Sequence, residues 1–397
     1  MRLTSKQEQG LKIAVERFYN NEPYTLIEGW AGTGKSTLVR FIIDALRLEP
    51  YQVAYMAYTG KAAQVLKNKG CPNAITAHRF LYKSILKKDG TFFHRPKPIE
   101  ELMQYKLIVV DEISMLPDFM WDLLLSYKIY VIALGDPGQL PPVKASASTA
   151  LEKPHIFLDE IMRQAQESEI IRLTMDIRDG KPLSLYKGKE VRIVDTSELK
   201  APGFLSWADQ VICGKNQTRF TLNQTMRRIK YGPDITFEPI ITDKLICLHN
   251  DWDFVNDTND ALVNGMTGYI QARSLITSYK DRNPFMEKTY HINFLPDYEN
   301  AGVFPNLEID YRIFKEGKTT ITVGPNSNFQ KIPKQYHPYE FDYGYAITCH
   351  KAQGSEFNKV IVFEEFLKGT KEEHKKWLYT AATRASEKLI IVKDFRN

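Results

Sequence analysis

The sequence predicts an α/β fold with two parallel-sheet domains, and three observations support this prediction. Short apolar runs alternate with helical patterns between residues 24 and 136, similar runs return after residue 208, and a β-rich stretch interrupts this second set. Strands that are apolar throughout are typical of sheets buried on both faces, which are mostly parallel and use helices as crossovers. We therefore expect two α/β domains and one β-rich insertion.

The first domain is predicted from four strand-like runs that each end in polar residues. They are YTLI at 24–27, QVAYMAY at 52–58, KLIVVDE at 106–112 and KIYVIALGD at 128–136. In an open parallel sheet, ligands bind beyond the carboxyl ends of the strands. The polar residues that follow these runs are therefore expected to form a site.

The second domain is predicted from ADQVICG at 208–214, KLICLHN at 244–250, NKVIVFEEF at 358–366 and EKLIIVKD at 387–394. Between residues 265 and 339 the runs are short, β-rich and broken by Gly, Pro and Asn, which indicates a small inserted β-barrel. The predicted boundaries are 1–82 with 101–160 for the first domain, 83–100 for a hairpin insertion, 161–262 with 341–397 for the second domain, and 263–340 for the barrel.

The hairpin insertion is predicted from residues 85–96, which read ILKKDGTFFHRP. Asp89-Gly90 favours a type I′ turn, because both central residues of that turn need a positive φ. Phe92 and Phe93 are adjacent, so in a strand they point to opposite faces and one of them is expected to be exposed.

Composition limits the classes of protein to which the chain can belong but does not define its function. The 397 residues are 43% hydrophobic and 25% charged, with a net charge of +5, which is typical of globular domains and allows a basic groove for a polyanion. The four cysteines are far apart and show neither a zinc-ligand spacing nor a disulfide framework. The start is polar and no run approaches the length of a membrane span, so a cytoplasmic protein without membrane association is expected.

Residues 29–36 read GWAGTGKS between a strand-like run and a helical pattern. Glycines in such a loop let backbone N–H groups face phosphates, the lysine reaches the outer phosphates, and the serine hydroxyl suits Mg²⁺. The sequence therefore predicts a nucleoside triphosphate site, with Ser36 as a ligand of Mg²⁺. Its predicted residues are Gly29, Gly32, Thr33, Gly34, Lys35, Ser36 and Thr37.

Two acids and an amide follow the next buried strands. Asp111 is predicted to hold Mg²⁺, directly or through water, and Glu112 to polarise the attacking water. Gln139, in GDPGQLPP at 135–142, can sense a γ-phosphate because an amide both donates and accepts. The adjacent acids are also compatible with a charge pair at a helix N-terminus.

The order of motifs along nearly the whole chain resembles that of superfamily 1 DNA helicases, most closely the RecD-like and Dda-like branch that moves 5′ to 3′ on single strands. Besides the phosphate-binding loop at 29–36, called the P-loop below, the motifs are LTSKQ at 3–7, AYTGKAA at 57–63, TAHRFL at 76–81, DEISM at 111–115, GDPGQLPP at 135–142, MRQAQESEIIRLTMDIRDG at 162–180, NGMTG at 264–268, YAITCHKAQGSEF at 345–357 and YTAATRA at 379–385. One departure is Trp30, where this branch usually has a small residue or proline.

The resemblance implies two RecA-like domains with ATP and Mg²⁺ as cofactors. Gln7 would read the adenine edge, and Gly354 and Glu356 would lie at the nucleotide sugar or phosphates. Arg163 and Arg384 would approach the γ-phosphate from the second domain, where such an arginine contributes roughly 10³ to 10⁵ in rate. Either arginine taken alone is equally compatible with a surface ion pair.

The resemblance also implies single-stranded DNA and a duplex fork as partners, a monomer, and roles in DNA replication, recombination or repair, with room for protein partners from these processes. Its DNA contacts would be Thr59, Lys61 and His78 in the first domain and Thr348, His350 and Lys351 in the second. The hairpin would be a pin that splits the duplex, with Phe92 or Phe93 as the wedge, and the barrel would be SH3-like.

These expectations favour an ATP-dependent 5′ to 3′ DNA helicase, and two alternatives stay open. A P-loop nucleotide kinase needs a lid for its acceptor and has no use for a second α/β domain that carries Arg384. A nucleotide-gated clamp or loader on single-stranded DNA would hydrolyse slowly without moving. Glu112 argues against it, because a passive clamp needs no acid that activates water.

Overall fold

The computed structural model describes residues 3–71, 73–86, 92–140, 153–201, 203–258, 260–276, 289–316, 338–365, 367 and 369–393. Within these ranges the strands form two six-stranded sheets, one five-stranded sheet and two hairpins. All strand pairs of the first sheet are parallel, and the second sheet is parallel apart from one short edge strand. The predicted α/β class with two parallel sheets is therefore confirmed.

The first α/β domain alternates strands and helices. Its helices are α1 (Ser5–Tyr19), α2 (Lys35–Ala45), α3 (Gly60–Asn68), α4 (Ala77–Leu81) and α5 (Asp118–Ser126), with 3₁₀ turns at Pro50–Gln52, Ile99–Glu101 and Ile113–Met115. Its strands are β1 (Tyr24–Gly29), β2 (Val53–Ala57), β3 (Ala74–Thr76), β4 (Tyr82–Leu86), β5 (Phe92–Pro96), β6 (Leu107–Val110), β7 (Tyr130–Gly135) and β8 (Ile156–Leu158). The sheet order is β3-β2-β6-β7-β1-β8.

Successive side chains of the central strands enter cores on opposite faces of this sheet. Leu26 packs with α4 and α5 on one face, whereas Ile27 packs with α1 and α2 on the other. Strands β6 and β7 are buried along their whole length. Burial on both faces explains why these runs are apolar throughout and not alternating.

The remaining elements follow in chain order. They are α6 (Arg163–Gln166), α7 (Glu169–Arg178), β9 (Tyr186–Lys187), β10 (Val191–Asp195), β11 (Gln210–Cys213), α8 (Asn216–Tyr231), β12 (Lys244–Cys247), β13 (Asp251–Val255), β14 (Ala261–Leu262), β15 (Thr267–Ile276), β16 (Thr289–Pro296), β17 (Phe304–Asp310), α9 (Tyr311–Glu316), β18 (Phe341–Tyr343), β19 (Ala346–Thr348), α10 (Cys349–Ala352), β20 (Phe357–Phe363), α11 (Lys371–Ala382) and β21 (Ala385–Lys393), with 3₁₀ turns at Thr196–Lys200 and Leu205–Trp207. The second sheet has the order β19-β11-β20-β21-β10-β9.

Helices α7 and α11 cover one face of the second sheet, and α8 covers the other together with residues of the five-stranded sheet. That third sheet is antiparallel in the order β17-β16-β15-β12-β18. Because its residues share one core with α8, it is packed firmly against the second α/β domain. None of the helices described here is both long and apolar enough to cross a membrane.

The expected place of the run at 244–250 is wrong. It was predicted to join the second parallel sheet, but β12 pairs antiparallel with β15 and β18, with Leu245 opposite Gly268 and Tyr343. The run is apolar because all four residues of β12, a strand of the third sheet, are buried, and the strand packs into the core that this sheet shares with the second domain. A short apolar run does not reveal which sheet will bury it. The antiparallel sheet consequently spans residues 244–343, more than the predicted 263–340.

The predicted hairpin is present as the antiparallel pair β4–β5, in which Ile85 faces Phe93 and Leu86 faces Phe92. The turn predicted at Asp89-Gly90 lies outside the described residues. The backbone therefore places Phe92 and Phe93 on the strand that leaves this turn.

Candidate active site and nucleic-acid contacts

The P-loop lies between β1 and α2, as predicted. Gly32 and Gly34 both have φ of 79°, a conformation that L side chains rarely adopt. A Cβ at Gly34 would also collide with the sulfur of Met162 and the amide of Gln7. At Gly29 it would lie 2.7 Å from both the Leu158 carbonyl and Thr33 Oγ1. The loop therefore needs glycine at these positions, as expected of a loop whose backbone N–H groups cradle phosphates.

Lys35 and Gln7 both bind the loop itself. Lys35 Nζ donates to the carbonyls of Gly29 at 2.6 Å and Trp30 at 3.2 Å, so its ammonium already lies over the cradle. Gln7 Nε2 donates to the Thr33 carbonyl at 3.1 Å, and Gln7 is only 1% exposed. Contact of Gln7 with an adenine base stays a prediction, whereas its support of the loop is visible.

Asp111 and Glu112 follow β6 at the same edge of the sheet. Burial, and next the negative charge of Glu112, raise the pKa of Asp111, and Lys35 opposes this shift. Glu112 has φ of 48°, and its Oε2 atom is buried without a hydrogen-bond partner among the described residues. A buried carboxylate oxygen without a donor fits a site that receives a water or a cation. The residues present therefore suit a magnesium nucleotide.

A cleft of about 390 Å³ joins the two α/β domains at this point. This volume lies in the range of small-ligand sites. The predicted residues among its lining are Gly32, Lys35, Asp111, Glu112, Gln139, Gly354, Glu356 and Arg384. The structure thus brings most of the predicted catalytic residues together from both domains.

Arg384 crosses this cleft. Its Nη1 lies 3.1 Å from Glu112 Oε1 and donates to the Ser355 carbonyl at 3.2 Å, while its Nε donates to the Thr380 carbonyl at 3.1 Å. Burial is the largest influence and lowers the pKa of Arg384, but the charge and hydrogen bond of Glu112 together with other nearby groups outweigh it, and the net shift is upward. The guanidinium therefore stays charged although it is only 5% exposed.

The other predicted nucleotide residues flank the cleft. Ser36 and Thr37 lie in the first turn of α2, and Ser36 is exposed. Arg163 begins α6, directly after Met162, whose N–H donates to the Gly32 carbonyl at 3.0 Å. The backbone of Arg163 therefore lies close to the P-loop.

Sequence reasoning assigned no role to two polar side chains that join the domains here, Tyr379 and Lys69. Tyr379 accepts a hydrogen bond from the Ala31 N–H at 2.8 Å and donates one to Asp136 Oδ2 at 2.8 Å. Lys69 forms an ion pair with Glu356 at 2.6 Å. Tyr379 stands in the same quoted motif as Arg384, and this was the available signal for its importance. Nothing in the sequence marked Lys69.

The DNA contacts predicted in the first domain are held by protein groups. Thr59 caps α3 by accepting the Ala62 N–H at 3.1 Å. Lys61 Nζ lies 3.2 Å from both carboxylate oxygens of Asp297 and 3.9 Å from the centre of the Phe357 ring. His78 is 5% exposed, and burial lowers its pKa to about 4, so its ring is neutral at pH 7.

The contacts predicted in the second domain lie beside those of the first. Thr348 occupies the N-cap position of α10, His350 is exposed, and Lys351 Nζ contacts the Asn264 side chain. The Asn264 N–H donates to Asn250 Oδ1 at 2.8 Å, and Asn250 Nδ2 donates to the hydroxyl of Tyr58, the neighbour of Thr59, at 3.2 Å. This chain of contacts links the two predicted sets. Of Phe92 and Phe93 only the backbone is described.

Comparison with known families agrees with this two-domain site. Residues 3–196 match the model of an AAA domain, and residues 343–392 match that of a UvrD-like helicase C-terminal domain. Together the two models match more than half of the chain, including the P-loop and Arg384. The chain therefore combines an AAA domain with a UvrD-like helicase C-terminal domain, and its relatives are superfamily 1 helicases of the Pif1/RecD-like branch.

Relatives within this branch are similar over different lengths. The ATP-dependent DNA helicase dda of Enterobacteria phage T4 is 28% identical over 190 residues, which cover 45% of this chain and 43% of that protein. The ATP-dependent RecD2 DNA helicase of Deinococcus radiodurans is 27% identical over 382 residues, or 91% of this chain and 46% of that protein. The chain thus spans less than half the length of these two relatives.

One solved structure has a fold similar to that of this chain. The Pif1 helicase from Bacteroides, in complex with ADP-AlF3 and ssDNA, is 20% identical with a TM-score of 0.53, and the match covers 100% of this chain and 93% of that one. At this identity the likeness concerns the fold alone.

Proposed function

We propose that this superfamily 1 chain is an ATP-dependent DNA helicase that hydrolyses ATP between its two parallel-sheet domains, moves 5′ to 3′ on single-stranded DNA and unwinds duplex DNA. The observation that carries the proposal is the contact of 3.1 Å between Arg384 of the second domain and Glu112 of the first. It joins an acid suited to activate water and a cation suited to a γ-phosphate across a cleft that also contains the P-loop. The names of the T4 and Deinococcus relatives support the same activity.

The main predicted catalytic groups of the cleft have defined tasks in this reaction. The P-loop amides and Lys35 bind the phosphates, and Ser36 and Asp111 hold Mg²⁺, which supplies charge neutralisation when bound. Glu112 accepts a hydrogen bond from the attacking water. Arg384 leaves Glu112 for the γ-phosphate, so that substrate binding frees the acid and tightens the contact between the domains.

Movement along DNA follows from alternating contacts of the two domains. Thr59 and Lys61 hold the strand from the first domain, and Thr348, His350 and Lys351 hold it from the second. Hydroxyls and cations bind phosphates without reading sequence, as a motor requires. ATP closes the cleft and hydrolysis reopens it, which shifts one set of contacts relative to the other.

We propose that the β4–β5 hairpin is the pin that separates the duplex, with Phe92 or Phe93 as its wedge. Opening one base-pair step costs about 1.4 kcal/mol of stacking, and an aromatic ring stacked on a base returns about 1 to 3 kcal/mol. Replacing each Phe by Ala should reduce unwinding far more than the ATPase that single strands stimulate. Equal loss of both activities would show that neither Phe acts as a wedge.

We propose that the antiparallel sheet of residues 244–343 is the SH3-like barrel of this branch. The last two residues of NGMTG begin β15, and the sheet has the order β17-β16-β15-β12-β18 with every neighbouring pair antiparallel. This assignment extends the predicted insertion of 263–340 at both ends, so that it includes β12 and β18.

Strand displacement on duplexes with either a 5′ or a 3′ single-stranded tail tests the whole proposal. The wild-type chain is expected to unwind the 5′-tailed duplex, and Glu112→Gln should bind nucleotide and DNA but neither hydrolyse nor unwind. Glu16→Gln, at an exposed acid of α1, is the matched control and should behave as wild type.

The remaining outcomes separate the alternatives. Unwinding of the 3′-tailed duplex alone would overturn the proposed direction. ATP turnover without any unwinding would favour the clamp or loader, and ATP turnover by Glu112→Gln would refute the role of this acid.

A further inference from the structure

The turn that carries Gln139 follows the last residue of β7 in the first domain. Two hydrogen bonds shape it: Gly138 N–H donates to Asp136 Oδ1 at 2.9 Å, and Gln139 N–H donates to the Asp136 carbonyl at 3.2 Å. Gln139 is one of the residues that line the cleft. Where the turn is anchored therefore decides where this amide lies relative to a γ-phosphate.

Leu140, the residue after Gln139, is anchored in the second domain. Its N–H donates to Thr380 Oγ1 at 2.8 Å, and its carbonyl accepts from Gln353 Nε2 at 2.6 Å. Its side chain belongs to the core cluster of the second domain, together with residues such as Trp377. Both backbone polar groups and the side chain of Leu140 thus contact the second domain, although the chain reaches this residue from the first.

The hydroxyl of Thr380 has a fixed orientation. It donates its proton to the Lys376 carbonyl at 2.7 Å, one turn earlier in α11, and its lone pair is therefore available to the Leu140 N–H. Thr380, Gln353 and Leu140 are all buried, so water does not replace these bonds. On the other side of Gln139, Asp136 accepts the hydrogen bond of Tyr379.

We infer that Thr380 and Gln353 are positioning residues for Gln139, so that the second domain and not the first sets the place of this amide in the cleft. The inference deepens the proposed function and rests on it for the role of Gln139. When the cleft opens, Leu140 moves with the second domain and draws Gln139 away from the P-loop. ATP turnover is thereby linked to domain closure at a second point besides Arg384.

Thr380→Val tests this inference, because valine keeps the shape of threonine but cannot accept the Leu140 N–H. The expected result is a roughly 10- to 100-fold lower kcat for ATP hydrolysis, with and without single-stranded DNA, while the Kd for fluorescent ADP changes by less than about twofold. Thr380→Ser keeps the hydroxyl that accepts the Leu140 N–H, so its kcat should stay close to that of the wild type. Thr225→Val is the matched control, since the Thr225 hydroxyl also donates to a carbonyl one turn earlier, at 2.9 Å, but is only partly buried and lies outside the cleft lining.

The double variant Thr380→Val with Gln139→Ala separates positioning from general damage. If Thr380 acts through Gln139, the valine should lower kcat little further in the Gln139→Ala background. Gln353→Met, which removes the second bond to Leu140, should behave as Thr380→Val does. An unchanged kcat in Thr380→Val, or an equal loss with and without Gln139, would overturn the inference.

Failure of the proposed function is detected separately. The comparisons among the Thr380, Gln353 and Gln139 variants need only the rate of ATP hydrolysis and a melting temperature that shows folded protein. The helicase activity is tested by strand displacement with the wild-type chain.

Discussion

Replacing Asp297 by asparagine is expected to strengthen binding of single-stranded DNA. Asp297 follows β16, and both its carboxylate oxygens lie 3.2 Å from Nζ of Lys61, a predicted DNA contact. Burial is the largest influence and raises the pKa of Asp297, but the charges of Lys61 and Lys244 together with the hydrogen bonds from Thr267 and Lys61 outweigh it, and the net shift is downward. The carboxylate is therefore charged at pH 7 and competes with a DNA phosphate for Lys61.

The size of the effect follows from this geometry. Unit charges 3.2 Å apart attract with about 1.3 kcal/mol in water and about 5 kcal/mol at an effective dielectric constant near 20. Partly exposed ion pairs retain about 1 kcal/mol after desolvation and side-chain entropy are subtracted. Removing the competing charge should therefore tighten binding about fivefold. One more neutralised phosphate should also steepen the slope of log K against log salt by about 0.7.

Asparagine should preserve the local fold. Its carbonyl oxygen can still accept the hydrogen bond from Thr267 Oγ1, which is 2.8 Å long in the wild type. Lys244, which lies 3.6 Å from Asp297, keeps its bonds of 3.0 Å to the Asp209 carbonyl and to Gln210 Oε1. A melting curve of Asp297→Asn checks that the variant is folded.

Fluorescence anisotropy of a labelled single strand at several salt concentrations measures both quantities. Asp257→Asn changes the net charge equally at an exposed position and should not alter affinity beyond a small uniform effect. In a Lys61→Gln background, Asp297→Asn should lose its effect, because the cation that it releases is absent. An unchanged affinity and salt slope in Asp297→Asn would refute the reasoning.

Two further predictions concern stability. The pKa of His78 is about 4, below its ordinary 6.5, so the stability that its neutral ring contributes is present above pH 6.5 and is lost as pH falls toward 4. Between pH 7 and pH 5 the free energy of unfolding of His78→Gln, measured by urea unfolding, should fall by about 2 kcal/mol less than that of the wild type. An equal fall in both proteins would contradict burial of a neutral ring. Arg227→Met leaves the buried Asp243 carboxylate, 3.0 Å from Arg227 in the wild type, without its cation and should cost about 3–5 kcal/mol. Adding Asp243→Asn should recover part of this cost, and a loss below about 1 kcal/mol would show that water or another cation compensates.

The parts of the site that lie at strand ends were predictable from sequence. Asp111 and Glu112 directly follow an apolar strand, Lys35 begins the helix after the loop that leaves β1, and parallel strands bring their carboxyl ends to one edge of the sheet. Arg384 was predictable only through its motif. Its 3.1 Å contact with Glu112 joins residues 272 positions apart, and no local pattern specifies such a contact.

The parts that were missed depend on packing between distant segments. The pairing of β12 with β15 and β18 was not predicted, because a run buried on both faces looks the same in a parallel and an antiparallel sheet. Asp297 lies 236 residues from Lys61 and belongs to no motif. Such contacts are specified by the tertiary fold, and composition and periodicity carry no information about them.

Helix α11 explains why the two domains should respond to nucleotide as a unit. Tyr379 binds the P-loop amide of Ala31, Thr380 binds Leu140 beyond the turn of Gln139, and Arg384, just after the helix, binds Glu112. A helix is stiff over this distance, so a shift of α11 changes all three contacts together. A nucleotide that draws Arg384 from Glu112 must therefore also move the turn of Gln139. In the proposed function, hydrolysis at the P-loop therefore shifts these three contacts together and moves one domain relative to the other.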